Sequence, residues 1–451
     1  MNTGNMARSV LIGLGSFLVF VSSNANAATC EGEVIEAGTV INAENIDSVL
    51  TKCFDNHRIG DVMGDRVEWQ VRNQGMTLRL TPYEPLLPGY RKRMVTEKFK
   101  GTVTLDPSSF DITNWVAGAP FPDVDVDDPN AAVKVVWNHR NLPATLGDNT
   151  GGASGLLDPN FAYMLIDGTN GIDRIQRWNF TRVHMSGRYT SIDGPHSLGD
   201  GTVFHKTMLF ATYPHDIKGL GTFTINYTTP RYNDTWAYIR TVRRIRRLSG
   251  GAWVDPIGGT DQLQDDLNFA AHPTWYAGYK LLGRAWVLAV AESEASRPGS
   301  RAAWDPEGAT IPERFPLSQL DQAPYWNVED DWMPRDVFIV EAIPPAFHPY
   351  SRRVIYFDAE NWSFLHANAY DRKGDYWKWV QFGWKMFESQ DGFIDPDTGK
   401  AEVAPLTNWG RITDFQRLHS TNFFVPKEFQ TNIPGIETDD VTLTALEAAG
   451  R

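Results

Sequence analysis

Cysteine is almost absent from this sequence, and basic side chains are outnumbered by acidic ones. Only Cys30 and Cys53 occur among 451 residues, so a CxxC redox motif or a cysteine-based zinc site is excluded. With 42 lysines and arginines against 55 aspartates and glutamates, the formal net charge is -13. A nucleic-acid partner is therefore not expected, because binding to nucleic acid needs a basic surface that displaces counterions.

Long apolar runs are also lacking after the first 27 residues. A transmembrane helix needs roughly 20 consecutive apolar residues, and the apolar stretch LLGRAWVLAVA is interrupted by Arg284. We therefore predict that the mature chain is not an integral membrane protein.

The common short motifs of enzymes are missing as well. There is no GxSxG nucleophile elbow, no HExxH zinc helix and no GxxxxGK phosphate-binding loop. The acidic stretch DVDVDDP (residues 123–129) has no central glycine, and Lys134 stands where a calcium loop carries its bidentate glutamate. We predict no catalytic residue, no metal ion and no cofactor.

The N-terminus contains the one apolar run that carries targeting information. Arg8 precedes VLIGLGSFLVFV, which is too short for a membrane span, and the small residues Ala25 and Ala27 follow. This pattern predicts a signal peptide over residues 1–27, cleaved after Ala27, with an N-terminal membrane anchor as the alternative. The mature protein would then be periplasmic, an oxidising compartment in which Cys30 and Cys53 could form a disulfide. Nothing in the sequence fixes the distance between them, so the pairing stays open.

Alternating side chains predict a β-rich fold. In GTFTINYTTP, Phe223, Ile225 and Tyr227 alternate with polar residues, which is the period of a half-buried strand. Residues 352–384 predict three antiparallel strands joined by short polar turns, with the middle strand from Trp362 to Tyr370. Helices are expected only near residues 42–50 and from about Asp439 to the end. The predicted fold class is mainly β (α+β), a large curved antiparallel sheet with helices and long loop insertions.

The chain shows no linker, charge block or repeat that would divide it into several domains. We expect an N-terminal segment over residues 28–74, with a short helix and both cysteines. A single β domain would then occupy residues 75–451 and end in a C-terminal helix.

A cluster of arginines from Arg240 to Arg247 stands out in this acidic chain. Two interpretations remain open, because each face of a strand here would carry both apolar and cationic groups. Arginines could form ion pairs with the carboxylates that follow, since guanidinium binds carboxylate through two parallel hydrogen bonds. The candidates for these structural ion pairs are Arg243, Arg247, Asp261, Asp265 and Asp266. Alternatively, Arg244 and Arg246 could stand at the mouth of an apolar cavity and bind the polar head of a ligand.

Aromatic residues make up 12% of the chain and include 16 tryptophans. Ligand cavities for hydrophobic molecules are lined mainly by such side chains. A large β core uses aromatic residues too, so each candidate could equally be part of the core. The candidates for the ligand-binding wall are Trp236, Tyr238, Trp275, Trp286, Tyr356 and Trp362.

Several motifs occur in an order that resembles a bacterial family. They are NWVAGAPFP (114–122), PRYNDTWAYIRTVRRIRRL (230–248), GGTDQLQDDLNF (258–269), YKLLGR (279–284), RRVIYFDAENW (352–362) and AYDRKGDYWKW (369–379). In these motifs the chain resembles the family of domain of unknown function 1329. The resemblance implies the fold of the LolA and LolB proteins, which sort outer-membrane lipoproteins. This fold is an open half-barrel whose concave apolar face carries acyl chains. It also implies a partner among inner-membrane transporters of the resistance-nodulation-division (RND) type, and it supplies no catalytic residue.

Two functions from different classes follow. The first is a periplasmic, non-catalytic protein that binds and transfers a lipid or other hydrophobic small molecule. The alternative is a periplasmic enzyme, a hydrolase or isomerase, acting on such a molecule. The carrier requires an apolar hollow inside the curved sheet.

Overall fold

The computed structural model describes most of the chain after the predicted signal peptide, which lies outside the described residues. The described ranges are 30–141, 147–152, 161–240, 243–248, 252–267, 271–293, 318–425 and 429–450.

Strands dominate these residues, and helices are few and short. The strands are β1 (Val40–Ile41), β2 (Cys53–Phe54), β3 (His57–Arg58), β4 (Leu78–Leu80), β5 (Thr104–Asp106), β6 (Asp111–Thr113), β7 (Asn149–Gly152), β8 (Phe161–Asp167), β9 (Gly171–His184), β10 (Val203–Tyr213), β11 (Gly221–Tyr227), β12 (Asp234–Ile239), β13 (Arg244–Arg247), β14 (Gly278–Ala289), β15 (Asp331–Ile343), β16 (Arg352–Asp358), β17 (Phe364–Tyr370), β18 (Tyr376–Glu388), β19 (Val403–Asp414), β20 (His419–Phe424) and β21 (Phe429–Thr431). The helices are α1 (Ile46–Val49), α2 (Ile59–Met63), α3 (Asp65–Gln74), α4 (Tyr90–Phe99), α5 (Ala131–Asn141) and α6 (Leu443–Gly450).

Seventeen strands form one large sheet. Its main run is antiparallel in the order β13-β12-β11-β10-β9-β8-β20-β19-β18-β17-β16-β15-β14. The two halves of this run meet where β8 pairs with β20, with Met164 opposite Asn422. The sheet is not closed, so β13 and β14 lie at its two ends. This arrangement confirms the predicted fold class.

The predicted three-strand meander is present as β16, β17 and β18. Tyr356 lies opposite His366, and Ala367 opposite Val380, both in antiparallel register. The middle strand begins at Phe364, two residues later than the alternation predicted. The reason is Trp362, whose φ of 62° places it in the turn, where its backbone N–H donates to the Asp358 carbonyl at 3.0 Å.

The outer face of the sheet, which we define as the face carrying Trp379 and Trp409, is covered by the N-terminal segment. Ile46, Val67 and other apolar side chains of α1 to α3 and β4 form one buried cluster with it. Burial of such residues contributes roughly 1.5 to 3 kcal/mol for each large side chain. The structure joins Cys30 and Cys53 in a disulfide with a Cα–Cα distance of 5.9 Å, which ties down the start of this segment.

The inner face carries Ile355, Phe382 and other apolar residues, and α5 lies against it. Residues of α5 are buried on all sides except Lys134, which is half-buried. An eleven-residue helix is only about 16 Å long. It nevertheless packs on β14 and donates through Arg140 to the carbonyl of Tyr227, at the end of β11. In a flat sheet β14 and β11 would be roughly 47 Å apart, so the sheet must curve around α5.

The described residues include no helix that combines the length and the apolar character needed to cross a membrane.

Candidate ligand-binding site

A cavity of about 260 Å³ opens beside the C-terminal end of α5. We call it the α5 cavity. Four segments meet there: the end of β6, the last turn of α5, the connection from β9 into β10, and the connection from β11 to β12. The lining residues are Ile112, Asn114, Trp115, Val116, Trp137, Arg140, Asn141, Ser186, Ser197, Gly201, Phe204, Thr228 and Thr229.

The position of α5 follows from the sequence that starts it. Asp128 stabilises the turn before α5: its carboxylate accepts a hydrogen bond from the Asn130 backbone N–H at 2.7 Å and also pairs with Lys134. The run AAVKVVW is apolar apart from Lys134, and a helix that is apolar on nearly all sides is stable only when it is buried. Val135 and Val136 are fully buried against the sheet, and this leaves the polar end of α5 at the cavity.

The apolar part of the wall consists of aromatic rings whose polar atoms are already bonded. The indole N–H of Trp115 donates to the Gly118 carbonyl at 3.0 Å. That of Trp137 donates to the Phe110 carbonyl at 2.8 Å. Trp115 and Phe204 pack edge to face with ring centroids 5.8 Å apart. These rings therefore offer carbon surfaces to whatever occupies the cavity.

The polar part of the wall includes two buried side chains that donate hydrogen bonds, Asn141 and Arg140. Asn141 is 6% exposed, and its Nδ2 has no hydrogen-bond partner within the described ranges. Arg140 is 7% exposed; it donates to the carbonyls of Tyr227 at 3.1 Å and Ala271 at 3.4 Å and lies over the Phe204 ring at 5.0 Å. A buried amide without a partner is costly, so Asn141 marks a place where a ligand could be accommodated.

The surroundings of the α5 cavity are positively charged. Burial lowers the pKa of Arg140 to about 9 and that of Arg182, on β9, to about 10, so both stay cationic at neutral pH. Burial, reinforced by these two charges, lowers the pKa of His205 well below its usual value. Burial and the Arg140 charge do the same to His272. The histidines are consequently neutral and leave the arginines as the local charges.

Among the aromatic candidates, Trp236 and Tyr238 lie on β12 beneath α6. Trp236 stacks on Phe223 with centroids 5.6 Å apart, and Tyr238 is 1% exposed against Gly450. Both belong to a small core cluster between the sheet end and the C-terminal helix. The structure thus places them in packing that is separate from the α5 cavity.

Trp286 and Tyr356 lie on the outer face. Trp286 contacts the ring of His57, in the N-terminal segment, at 4.5 Å, and that of Tyr83, just after β4, at 5.6 Å. Tyr356 packs on His366 at 4.2 Å. Their side chains point to the side of the sheet opposite α5, because adjacent positions on a strand alternate between faces.

Trp275 and Trp362 lie on the inner side, near α5 but not in the cavity wall. The Trp275 indole donates to the Pro230 carbonyl at 2.8 Å, and its ring lies 5.5 Å from that of Trp253. Trp362 stacks on Phe338 at 5.6 Å, and its carbonyl oxygen lies 2.8 Å from Nδ1 of His139 on α5. The aromatic wall proposed from sequence is therefore not assembled in one place.

The arginine cluster lies at the free end of the sheet. Arg244 and Arg246 are exposed on β13, and Arg243 is exposed in the preceding turn with a φ of 50°. No carboxylate in the described residues contacts these three, and none of them reaches the α5 cavity. Arg247 pairs with Asp234, which also accepts from the hydroxyl of Tyr227 at 2.7 Å.

The prediction that Asp261, Asp265 and Asp266 pair with the arginine cluster is wrong, because these carboxylates point away from β13 into the protein. Asp265 and Asp266 are fully buried and bind Arg353 of β16, with N–O distances of 3.0 and 3.4 Å. Asp261 instead lies 2.5 Å from Nδ1 of His419. The sequence does contain a signal for Arg353 as a buried partner: it alternates with Ile355 and Phe357 and so faces inward on the same strand.

The buried cluster of Asp265, Asp266 and Arg353 is completed by two tyrosines. Tyr276 donates to Asp265 at 2.5 Å, and Tyr350 donates to Asp266 at 2.8 Å. Burial alone would lower the pKa of Arg353, but its interactions with Tyr276 and the two carboxylates raise it. This cluster fixes the loop before β14 against β16, and it is closed to solvent.

Comparison with known proteins identifies the family. The DUF1329 family, described as protein of unknown function, matches residues 40–421. Among crystal structures, a domain from Vibrio parahaemolyticus described in terms of outer-membrane lipoprotein sorting is 15% identical, covers 70% of this chain and 98% of its own, and has a TM-score of 0.43.

Two further crystal structures are similar at the same distant level. A DUF1329 protein from Desulfovibrio piger is 15% identical, with 67% of this chain and 92% of that chain covered and a TM-score of 0.41. A LolA superfamily protein from Nitrosomonas europaea is 10% identical, with 68% and 97% covered and a TM-score of 0.35. A search of curated proteins found no match. The family match spans most of the sequence and confirms the resemblance carried by the ordered motifs: the chain belongs to the DUF1329 family.

Proposed function

We propose that the protein is a periplasmic binding protein that takes up a hydrophobic molecule and passes it on chemically unchanged. The observation that carries this proposal is the α5 cavity, where the rings of Trp115, Trp137 and Phe204 meet the buried amide of Asn141. Apolar and aromatic walls with a few placed polar groups are typical of small-molecule sites.

The volume of the cavity limits the ligand. A dry cavity of about 150 Å³ is enough to bind benzene, while pockets for drug-sized ligands occupy about 300 to 1,000 Å³. At about 260 Å³ the α5 cavity suits a single ring or a short chain, or one end of a larger molecule. Helix α5 fills the part of the inner face next to this cavity, where the sequence led us to expect a wide hollow.

A periplasmic location is supported by the N-terminal sequence and by the disulfide. A signal peptide over residues 1–27 would export the chain, and the Cys30–Cys53 bond is of a kind that persists in an oxidising compartment. The expected mature N-terminus is Ala28. Mass measurement of the protein purified from the periplasm tests this, and a chain still carrying residues 1–27 would contradict it.

We keep the division into an N-terminal segment (28–74) and a β domain (75–451) as part of the proposal. A transporter of the RND type as the partner that delivers or receives the ligand follows from the family resemblance. Surface plasmon resonance between the ligand-loaded protein and such a transporter in nanodiscs tests the partnership. Equal signals with the transporter and with empty nanodiscs would contradict it.

Binding itself is tested with toluene as an apolar probe, by native mass spectrometry and by the fluorescence of the protein. Val116 is 36% exposed at the cavity mouth, so Val116→Trp should block entry at little cost in stability. Val126 is 44% exposed elsewhere, and Val126→Trp is the matched control. We expect wild type and Val126→Trp to bind toluene and Val116→Trp not to bind it. Absence of any binding to wild type would overturn the proposal.

A further inference from the structure

Two of the hydroxyl groups around the α5 cavity donate within the protein. Ser186 Oγ donates to the carbonyl of Val203 at 2.8 Å. Thr228 Oγ1 donates to the carbonyl of Gly201 at 2.9 Å. The buried wall atom without a hydrogen-bond partner in the described residues is Asn141 Nδ2, which is a donor, so an occupant that satisfies it must supply an acceptor oxygen.

We infer that the ligand of the α5 cavity is a small ring compound carrying a carbonyl or carboxylate oxygen, which accepts a hydrogen bond from Asn141. This inference rests on the proposed function and names its ligand class. The ring lies against Trp115, Trp137 and Phe204, and the oxygen reaches the last turn of α5.

The charges around the cavity favour an anionic head over a cationic one. The thirteen lining residues include one arginine, Arg140, and no aspartate or glutamate. Arg182 adds a second buried cation nearby, while His205 and His272 remain neutral. The C-terminus of a helix has a partial negative charge, and Arg140 in the last turn of α5 offsets it. A carboxylate is therefore accommodated better than an ammonium group.

A buried donor discriminates strongly between ligands that differ in one acceptor. A site whose polar group is left unpaired by the wrong ligand rejects that ligand, whereas an extra apolar contact changes affinity only modestly. Three probes share the same ring and methyl group but differ in the head: 4-methylbenzoate, 4-methylbenzylammonium and toluene. Of the three probes, the one with the carboxylate, 4-methylbenzoate, should bind to the α5 cavity most tightly.

The test is competitive titration of the full chain with these three probes, using native mass spectrometry and isothermal titration calorimetry. We expect wild type to bind 4-methylbenzoate roughly tenfold or more tightly than toluene, as a charge-assisted hydrogen bond would give. Asn141→Leu keeps the shape of the side chain but removes the donor. It should weaken 4-methylbenzoate binding and leave toluene binding intact, while Asn73→Leu on the exposed face of α3 should change neither.

The outcomes separate the two proposals. If wild type binds toluene and 4-methylbenzoate equally, or if Asn141→Leu binds 4-methylbenzoate as tightly as wild type does, the ligand class is overturned while the binding function stands. If wild type binds none of the three probes, both are overturned. Should Asn141→Leu fail to fold, Asn141→Asp is used instead; its carboxylate should repel 4-methylbenzoate and spare toluene, and unchanged 4-methylbenzoate binding would overturn the inference.

Discussion

At the scale of single residues, Arg353 is the cation at the centre of a fully buried charge cluster. It pairs with both Asp265 and Asp266, whereas its neighbour Arg352 is half-buried and pairs with Glu341 at 3.2 Å. The two arginines occupy adjacent positions on one strand and face opposite sides of the sheet. They form a natural pair for measuring what burial does to an ion pair.

We predict that Arg353→Leu lowers the free energy of unfolding by roughly 3 to 5 kcal/mol, because it leaves two carboxylates buried without their cation. Arg352→Leu should cost about 1 kcal/mol or less, as expected of a partly exposed pair. Urea denaturation of both variants measures the difference. Equal losses would mean that the buried cluster contributes no more than a surface ion pair.

A second residue-scale prediction concerns pH. The hydrogen bond to Asp261 raises the pKa of His419 above its usual value, although partial burial opposes this. A group whose pKa is raised by folding stabilises the protein fully below its unfolded pKa of about 6.5. That contribution is lost as pH rises through the folded pKa.

The stability difference between wild type and His419→Gln should therefore shrink as pH rises from 6 toward 9. Thermal unfolding at several pH values measures it, and taking the difference removes contributions that both proteins share, such as those of the buried His184 and His205. A difference that grows with pH would contradict the assigned direction.

At the scale of elements, β13 shows why the arginine cluster was difficult to interpret from sequence. It is a four-residue strand at the end of the sheet, and its cations face solvent. Charged side chains on an end strand discourage pairing with another chain. The local sequence could not distinguish this position from a buried one, because the neighbours that bury a strand come from distant parts of the chain.

The exposure of β13 leads to a further prediction. Arg244→Ala and Arg246→Ala should each leave the free energy of unfolding within roughly 0.5 kcal/mol of wild type, since surface changes of this kind are close to neutral. Differential scanning calorimetry is sufficient to check it. A loss of several kcal/mol in either variant would show that these guanidinium groups have a buried partner after all.

The elements that sequence predicted best are those whose pattern is local. The β16–β18 meander shows alternation and polar turns within 33 residues, and the turn alone was misplaced because Trp362 adopts a positive φ. Helix α5 was missed for the opposite reason. AAVKVVW is apolar apart from Lys134, so it has no amphipathic period, and only the sheet that curves around it explains why it is buried.

The candidate site was less predictable than the fold. It is assembled from four segments that are far apart in sequence. The aromatic candidates, which were chosen because aromatic residues are abundant, lie in three separate regions. A usable signal did exist: four polar residues, NHRN (138–141), follow directly on the mainly apolar run AAVKVVW. This change in polarity marks the end of α5, but only the structure shows that Arg140 and Asn141 are buried there beside a cavity.

At the scale of the whole molecule, the Cys30–Cys53 disulfide anchors the segment that covers the outer face. It closes a loop with a sequence separation of 23 residues. We predict that Cys30→Ser with Cys53→Ser lowers the free energy of unfolding by about 3 kcal/mol, as chain entropy gives for a loop of this size.

Chemical denaturation of wild type with and without reductant should reproduce the effect, and the double variant should be insensitive to reductant. If reduction leaves wild type unchanged, the N-terminal segment is held by its apolar contacts alone.

The pairing of β8 with β20 has a consequence for how the chain reaches this structure. Residues 161–167 pair with the nearby strand β9, but their second neighbour, residues 419–424, comes late in the chain. During synthesis one apolar strand, FAYMLID, therefore lacks its second neighbour until nearly all of the chain has been made. Such late, long-range contacts slow folding and leave time for aggregation. The nascent protein should accordingly depend on a holding chaperone, and truncation shortly before residue 419 should yield insoluble material rather than a smaller stable domain.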